Sequence, residues 1–271
     1  MSESEGSAAG QDATAENASR ITDLIKAKAR KFFEHAKKSA ETRNYDYAVN
    51  LYADGLALWP DAVEEGLKPL RVVAMARKLD GGKPAGFLGA RKFPVGGKDV
   101  LASFNNALRL FGLDPTNVTH LQQILTLSSK ARLARVTAWI APVLAEAYDA
   151  AKKLPESHYA ESCAAMAWSA DLAMAAGDDQ VSTDILSANI TVAQIWANHH
   201  PDSSAAPKAR SDASGKLTIV KGRFDRADGF TDSMKDRQSQ QALYDREKQV
   251  HTSDKFAEVI GRARKEGDQK A

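Results

Sequence analysis

The sequence is poor in residues that staple, coordinate or span. One of its 271 residues is cysteine, Cys163, so an intrachain disulfide and a thiolate metal cluster are both excluded. Cys163 lies in the apolar stretch Ser162-Cys-Ala-Ala-Met-Ala-Trp168, where a small buried hydrophobe is the expected role. No apolar run reaches the length needed to cross a bilayer. The first ten residues, Met1-Ser-Glu-Ser-Glu-Gly-Ser-Ala-Ala-Gly10, lack the basic start and hydrophobic run of a secretory leader. The expectation is a cytoplasmic protein with no membrane partner. Neither sign of charge is in excess, since 37 Lys and Arg stand against 35 Asp and Glu. Any attraction to nucleic acid would need a local patch. Alternating Val/Ile/Thr runs are nearly absent, so strands are not expected.

What is present is helical periodicity. Residues 1–19 are rich in Ser, Ala, Gly and Glu with few apolar anchors, and are expected to form a disordered head. From Ile21 to Asn198 apolar residues recur at helical spacing between short breaks. Prolines 60, 115, 155 and 201 punctuate four segments, each reading as a helical hairpin. The first runs from Ala29 to Pro60, with Phe32, Ala36 and Ala40 on one stripe and a break at Arg43-Asn44. The second opens at Asp61-Ala-Val-Glu64, a capping-box pattern, and Pro69 should kink its first helix. A stretch rich in glycine and lysine, residues 80–98, then separates that helix from Asp99–Phe111. Asn117–Lys130 and Arg132–Lys153 make the third pair; Ser157–Ala176 and Asp178–Ala197 make the fourth. Beyond residue 201 the pattern changes to a linker (Asp202–Lys216), a strand-like or docking segment (Leu217–Val220) and a charged tail through residue 271. That tail is expected to be partly helical and anchored by Phe224, Phe230, Leu243, Tyr244 and Phe256.

The first hairpin resembles the tetratricopeptide repeat, a helix–turn–helix unit that stacks into a superhelix. Phe32 stands at the large aromatic position, Ala36 at the small one, and Asn44-Tyr-Asp-Tyr-Ala48 at the turn and the second helix's alanine. Tyr52, Gly55 and Pro60 match the following aromatic, the close-contact small residue and the terminal proline. Ser39 departs from the pattern, as does Gly55, where alanine is usual. The hairpin, the Gly81-Gly-Lys-Pro84 sequence and Lys221-Gly-Arg-Phe224 are also similar to uncharacterised bacterial cytoplasmic repeat proteins, which bring no catalytic role with them. The resemblance implies an all-α tetratricopeptide-like superhelix of about four degenerate repeats over residues 20–201. It further implies a concave face built by the first helix of each hairpin. By register that face would carry Arg30, Phe33, Lys37 and Glu41 from hairpin one, and Arg71, Met75 and Lys78 from hairpin two. Phe33 occupies the position of the first lysine in the carboxylate clamp of some members, so that clamp is incomplete. The groove is expected to be basic and partly aromatic.

The glycine- and lysine-rich insertion invites a phosphate-loop reading, which fails at named positions. Such a loop needs glycine five residues before its Gly-Lys and Ser or Thr after it. Lys92 and Asp99 occupy those places around Gly97-Lys98, and Arg77 and Pro84 do so around Gly82-Lys83. Gly81 or Gly82 instead suits the left-handed cap that ends the preceding helix. Lys83, Phe87, Arg91, Lys92 and Lys98 are the candidate contact residues of this insertion. His199-His200 at a helix end suits the helix dipole better than a metal. Trp139, Trp168 and Trp196 lie in apolar helices and are expected in the core. No catalytic constellation, metal site or cofactor motif is found. The sequence reads as a non-enzymatic adaptor binding another protein or peptide. A nucleic-acid- or ribosome-associated factor using the basic surfaces is the second reading, and an enzyme with an anion site at the insertion the third.

Overall fold

The computed structural model describes residues 5–152 and 154–222, of which residues 5–21, 87 and 88 contribute backbone only. The regular structure of the described residues is all helical. Helix α1 spans Glu5–Glu41 and α2 spans Tyr45–Leu58. A π-helical turn, Val63–Leu67, leads into α3, Lys68–Leu79. After the short α4, Phe87–Ala90, come α5, Val100–Leu113, and α6, Val118–Lys130. They are followed by α7, Ala134–Ala150, α8, Glu156–Ala175, α9, Asp179–His199, and α10, Ala205–Gly222.

The hairpins are closed by one recurring turn. Arg43, Arg132 and Gly177 take φ values of 61°, 59° and 76°. In each case the next residue donates its N–H to a carbonyl five positions back: Asn44 to Ser39, Leu133 to Ser128, Asp178 to Ala173, all at 2.9 Å. This bond satisfies a carbonyl that the helix end leaves without a partner. The following helix then starts at once, at Tyr45, Ala134 or Asp179. The end of α3 begins the same way, with Gly81 at φ 87° and Gly82 N–H on the Arg77 carbonyl. There the chain departs into the insertion instead. The prolines expected to separate hairpins do lie between helices, at 60, 115, 155 and 201.

Within the first unit of the chain, residues 1–217, the helices pack as the hairpins require: α1 on α2, α3 on α5, α6 on α7, α8 on α9. Successive hairpins join through α2–α5, α5–α6, α6–α8 and α7–α9. Two close approaches depend on glycine. A Cβ on Gly112 of α5 would lie 2.3 Å from Val49 of α2, and one on Gly55 would lie 2.5 Å from the Phe33 ring.

Several expectations are corrected. The buried stripe of α1 is Ala29, Phe33 and Ala36, with Phe33 stacked on Tyr52 at 5.9 Å, while Phe32 is only half-buried. The helix begins at Glu5, well before residue 20, because Ala, Glu and Gln favour helix and no proline interrupts them. The Asp61 capping box does not form. The first backbone bonds of the π-turn run from Gly66 and Leu67 to the Ala62 carbonyl, which moves the cap one residue on, and Glu64 pairs with Lys68 instead. Pro69, which cannot donate a backbone hydrogen bond, sits where the π-turn passes into α3. Residues 205–222, expected as a linker and strand-like segment, form α10. Its alanines favour helix, Ala206 and Ala213 are buried, and Arg210 and Lys216 bond to Gln194 and Asp171. Trp168 is 51% exposed rather than core, because α8 is apolar on nearly every side and its pattern singles out no face. The tail anchors from Phe224 to Phe256 lie outside the described residues.

One buried cation ties the second hairpin together. Arg77 is 8% exposed. Its Nε donates to Asp46 Oδ1 at 2.7 Å, and its Nη1 to the carbonyls of Lys83 and Leu113 at 3.0 and 3.1 Å. One side chain thereby fastens α3 to the start of α2, the end of α5 and the root of the insertion. Arg77→Ala should cost about 2–3 kcal/mol in urea denaturation, since two carbonyls lose their donor and the largely exposed Asp46 adds little. Arg77→Lys, lacking the fork, should recover less than half; full recovery would refute the three-point role. Gly112→Ala should destabilise by about 1–3 kcal/mol through overpacking. Val49→Ala should relieve most of that loss in the double variant, and additive losses would count against the close approach.

Candidate docking groove

A groove lies on the second helices of the third and fourth hairpins. Its floor is the outer face of α7 and α9, and its ends are the π-turn before α3 on one side and α10 on the other. Two connected hollows share Ala138 and Asp184. The first, about 450 Å³, is bounded by Trp59, Asp61, Arg135 and Trp139. The second, about 1000 Å³, runs along Pro142, Ala145, Ala188 and the polar stripe Ser187, Thr191, Gln194 and Asn198. The space has a simple origin. α7 turns Val136, Ile140 and Leu144 inward and leaves Ala138, Pro142 and Ala145 on the other side. Small side chains there leave a trough where larger ones would fill it.

Carboxylates outnumber cations along this groove. Asp61, Glu64, Glu65, Glu146, Asp149 and Asp184 line it, against Lys68, Arg135 and Arg210. The basic residues expected to dominate are tied into pairs. Arg30 holds Glu65 at 2.9 Å and lies over the Trp59 ring at 5.2 Å. Arg71 is 3.8 Å from Glu146 of α7, and Lys78 is 3.2 Å from Asp114 before α6. Arg71 and Lys78 therefore reach from α3 toward the third hairpin, with the partly exposed Met75 between them. Lys37 is exposed on α1. Phe33 is interior, at 6% exposure, and presents no surface to a ligand.

The insertion is fastened to α3 and α5, on the α2 side of the second hairpin. The Lys83 carbonyl accepts from Arg77, Asn106 Nδ2 donates to the Pro94 carbonyl at 2.9 Å, and Phe93 lies under the Arg109 guanidinium at 5.9 Å. Arg109 continues to Asn50 and Asp54 on α2. The side chains of Lys83, Arg91, Lys92 and Lys98 are exposed; that of Phe87 lies outside the described set. Asp99 caps α5 by accepting from Ala102 N–H, so the residue that spoils a phosphate loop has a helix-starting role.

The groove's most unusual group is Asp61. Its Oδ1 is buried and has no hydrogen-bond partner. Burial raises the carboxyl above the ordinary aspartate value; Arg135 and Lys26 offset part of this, and Asp178 adds to it. Trp59, beside it, carries Lys26 Nζ at 5.3 Å over its ring. Trp139 packs edge-on against Phe111 at 6.5 Å, so it is half core and half groove wall. Asp61 as a groove-lining group was missed at the level of sequence, because its pattern matched a helix cap.

Elsewhere the polar groups are structural. His199 and His200 flank Tyr159 edge-on, with His199 Nδ1 2.7 Å from the Tyr159 hydroxyl and His200 Nε2 2.7 Å from the Leu154 carbonyl. Burial pushes the Cys163 thiol up to about 12, which makes it a poor nucleophile. Among the described residues no group of three or more His, Cys, Asp or Glu side chains is placed to hold a metal. In the same residues no helix is long and apolar enough to cross a membrane.

Asp61 gives a pH signature. A carboxyl whose folded value is raised binds its proton more tightly folded than unfolded. Its contribution is therefore full at low pH and is lost as pH climbs from the unfolded value through the folded one. Asp61→Asn removes the charge and should raise Tm at pH 7. At pH 3.5 the difference should vanish. A lowered Tm at pH 7 in calorimetry would refute this account. Scans against protein-family models, curated proteins and solved structures each returned no match, so similarity assigns no role to the groove.

Proposed function

We propose that the protein is a non-catalytic adaptor that holds a segment of a partner protein in the groove over α7 and α9. One observation carries this reading: two adjoining hollows floored by small residues, flanked by two indoles and hydrogen-bonding side chains, in a chain whose buried thiol, His199 and His200 are committed to packing. Peptide grooves combine such a floor with polar edges. The four hairpins, three of them closed by the same turn, fit a degenerate tetratricopeptide-like solenoid, and stacked repeats of that kind serve as binding scaffolds. The lone buried cysteine suits a reducing compartment, and the cytoplasm is the location that goes with this reading.

The nucleic-acid reading loses ground at this site, because the lining carboxylates repel phosphate. The basic residues of α1 remain a solvated face. An enzymatic role at the insertion loses its anion loop to the Asp99 cap and the Arg77 latch.

The test fills the trough. Ala138 borders both hollows and is only half-buried, so Ala138→Phe should keep the helical circular dichroism and Tm of the parent. A photo-crosslinker at Thr191 in the full chain should capture a specific partner from lysate of the source organism. Ala138→Phe should reduce that capture at least tenfold. Equal capture with the trough filled would remove the groove from the function.

A further inference from the structure

We infer that the groove selects a basic, extended segment of its partner, and that the hollow among Trp59, Asp61, Trp139 and Asp184 is the socket for one lysine or arginine side chain of that segment. The inference rests on the groove being the docking surface, as proposed above.

Charge is the first argument. Six carboxylates line the trough against three cations, and each cation is already engaged. Lys68 is held by Glu64 at 2.6 Å, Arg135 lies 3.6 Å from Asp178, and Arg210 donates to Gln194 at 2.6 Å. Asp61 Oδ1 has no donor, and Asp184 accepts from a neutral one, Gln180 Nε2, at 2.8 Å. Three of the six carboxylates are paired within the chain, Glu64 with Lys68, Glu65 with Arg30 and Glu146 with Arg71, which leaves Asp61, Asp149 and Asp184 outside these pairs to complement a positive occupant.

Shape is the second. A lysine or arginine side chain has an apolar stem and a cationic tip, and it is most stable where the stem meets apolar surface and the tip meets a carboxylate. The socket offers both. Trp139 supplies indole surface at one wall, Trp59 at the other already carries Lys26 and Arg30 over its ring, and Asp61 supplies a buried acceptor beside them. A buried acceptor without a donor is costly. An incoming ammonium or guanidinium would supply that donor, so the strain stored at Asp61 in the free protein is relieved on binding. The raised proton affinity of the Asp61 carboxyl is what such an unfilled site should show.

The trough beyond the socket is the third. Along α9, Ser187, Thr191, Gln194 and Asn198 recur every three or four residues and border the second hollow. Ser187 and Thr191 donate to carbonyls of their own helix and Gln194 donates to Asn198, so the stripe offers the two hydroxyl oxygens as acceptors for backbone N–H groups and the Asn198 amide as a donor for backbone C=O groups. Specificity comes from the socket, and the stripe supports the strand that delivers the side chain.

The experiment uses the full chain and fluorescein-labelled twelve-residue peptides of alternating Arg-Ala, citrulline-Ala and Glu-Ala, read by fluorescence anisotropy at 150 mM salt. Arg-Ala should bind at least tenfold more tightly than the isosteric neutral citrulline peptide, and Glu-Ala should not bind. The double change Asp61→Asn with Asp184→Asn should weaken Arg-Ala binding at least tenfold. Because Asp61→Asn is expected to stabilise the fold, such a loss is not unfolding. Glu34→Gln, an exposed change on α1, should leave binding unchanged. Equal weakening by Glu34→Gln, or none by the double change, would reduce the effect to diffuse attraction and overturn the socket. So would tighter binding of a labelled twelve-nucleotide RNA. If no peptide binds while Ala138→Phe still abolishes partner capture, the basic-segment inference fails and the groove stands. If the trough-filling change is also silent, both fail.

Discussion

The guanidinium of Arg77 is the contact on which the rest of the arrangement depends. The other hairpins are closed by a three-residue turn, so chain connectivity alone keeps their helices side by side. The second has no such closure, because residues 80–99 lie between α3 and α5. A connection of that length brings helix ends together only at an entropic cost. Arg77 offsets it by bonding three separate stretches at once. α3 is thereby held with its apolar side on α2 and α5, and with Lys68 and Arg71 toward α7. The wall of the groove follows from that one buried fork. Lysine, a point charge, does not reproduce it.

On the proposed function, the groove is a trade between packing and binding. Ala138, Pro142, Ala145 and Ala188 give up apolar contact that larger residues would make. Asp61 gives up a hydrogen bond in a buried setting. Folded proteins tolerate losses of this kind mainly where something else is to be held. Hairpins three and four absorb the cost with dense polar and aromatic closure. Ser128, Thr137 and Ser169 link α6, α7 and α8 through buried hydroxyls, and the Tyr148 hydroxyl meets Ser162 at 2.9 Å beside the Tyr159 ring.

Much of the fold was legible in the sequence because it is written locally. Proline positions, the Gly81 cap and the turn at Arg43-Asn44 are decided by residues a few places apart, and they landed where expected. The α1 register was not. Two adjacent phenylalanines allow a stripe through Phe32 or through Phe33, and only contact with Gly55 and Gly66 chooses between them. The sign of the groove was also invisible, since the partners of Arg30, Arg71 and Lys78 lie 35, 75 and 36 residues away. These pairings exist only after folding. Basic residues on a helix reveal where charge is placed, not whether it is already neutralised.

The π-turn at Val63–Leu67 also changes how this chain can be aligned with itself. A π-turn carries one residue more than the α-turn it replaces, and one residue is about 100° of helical rotation. Residues before it and residues after it therefore obey two different phases, although they read as one apolar run. Asp61 and Val63 are thus delivered to the trough while Leu67, Leu70 and Val73 reach the core. A strict period counted through this point falls out of step by one.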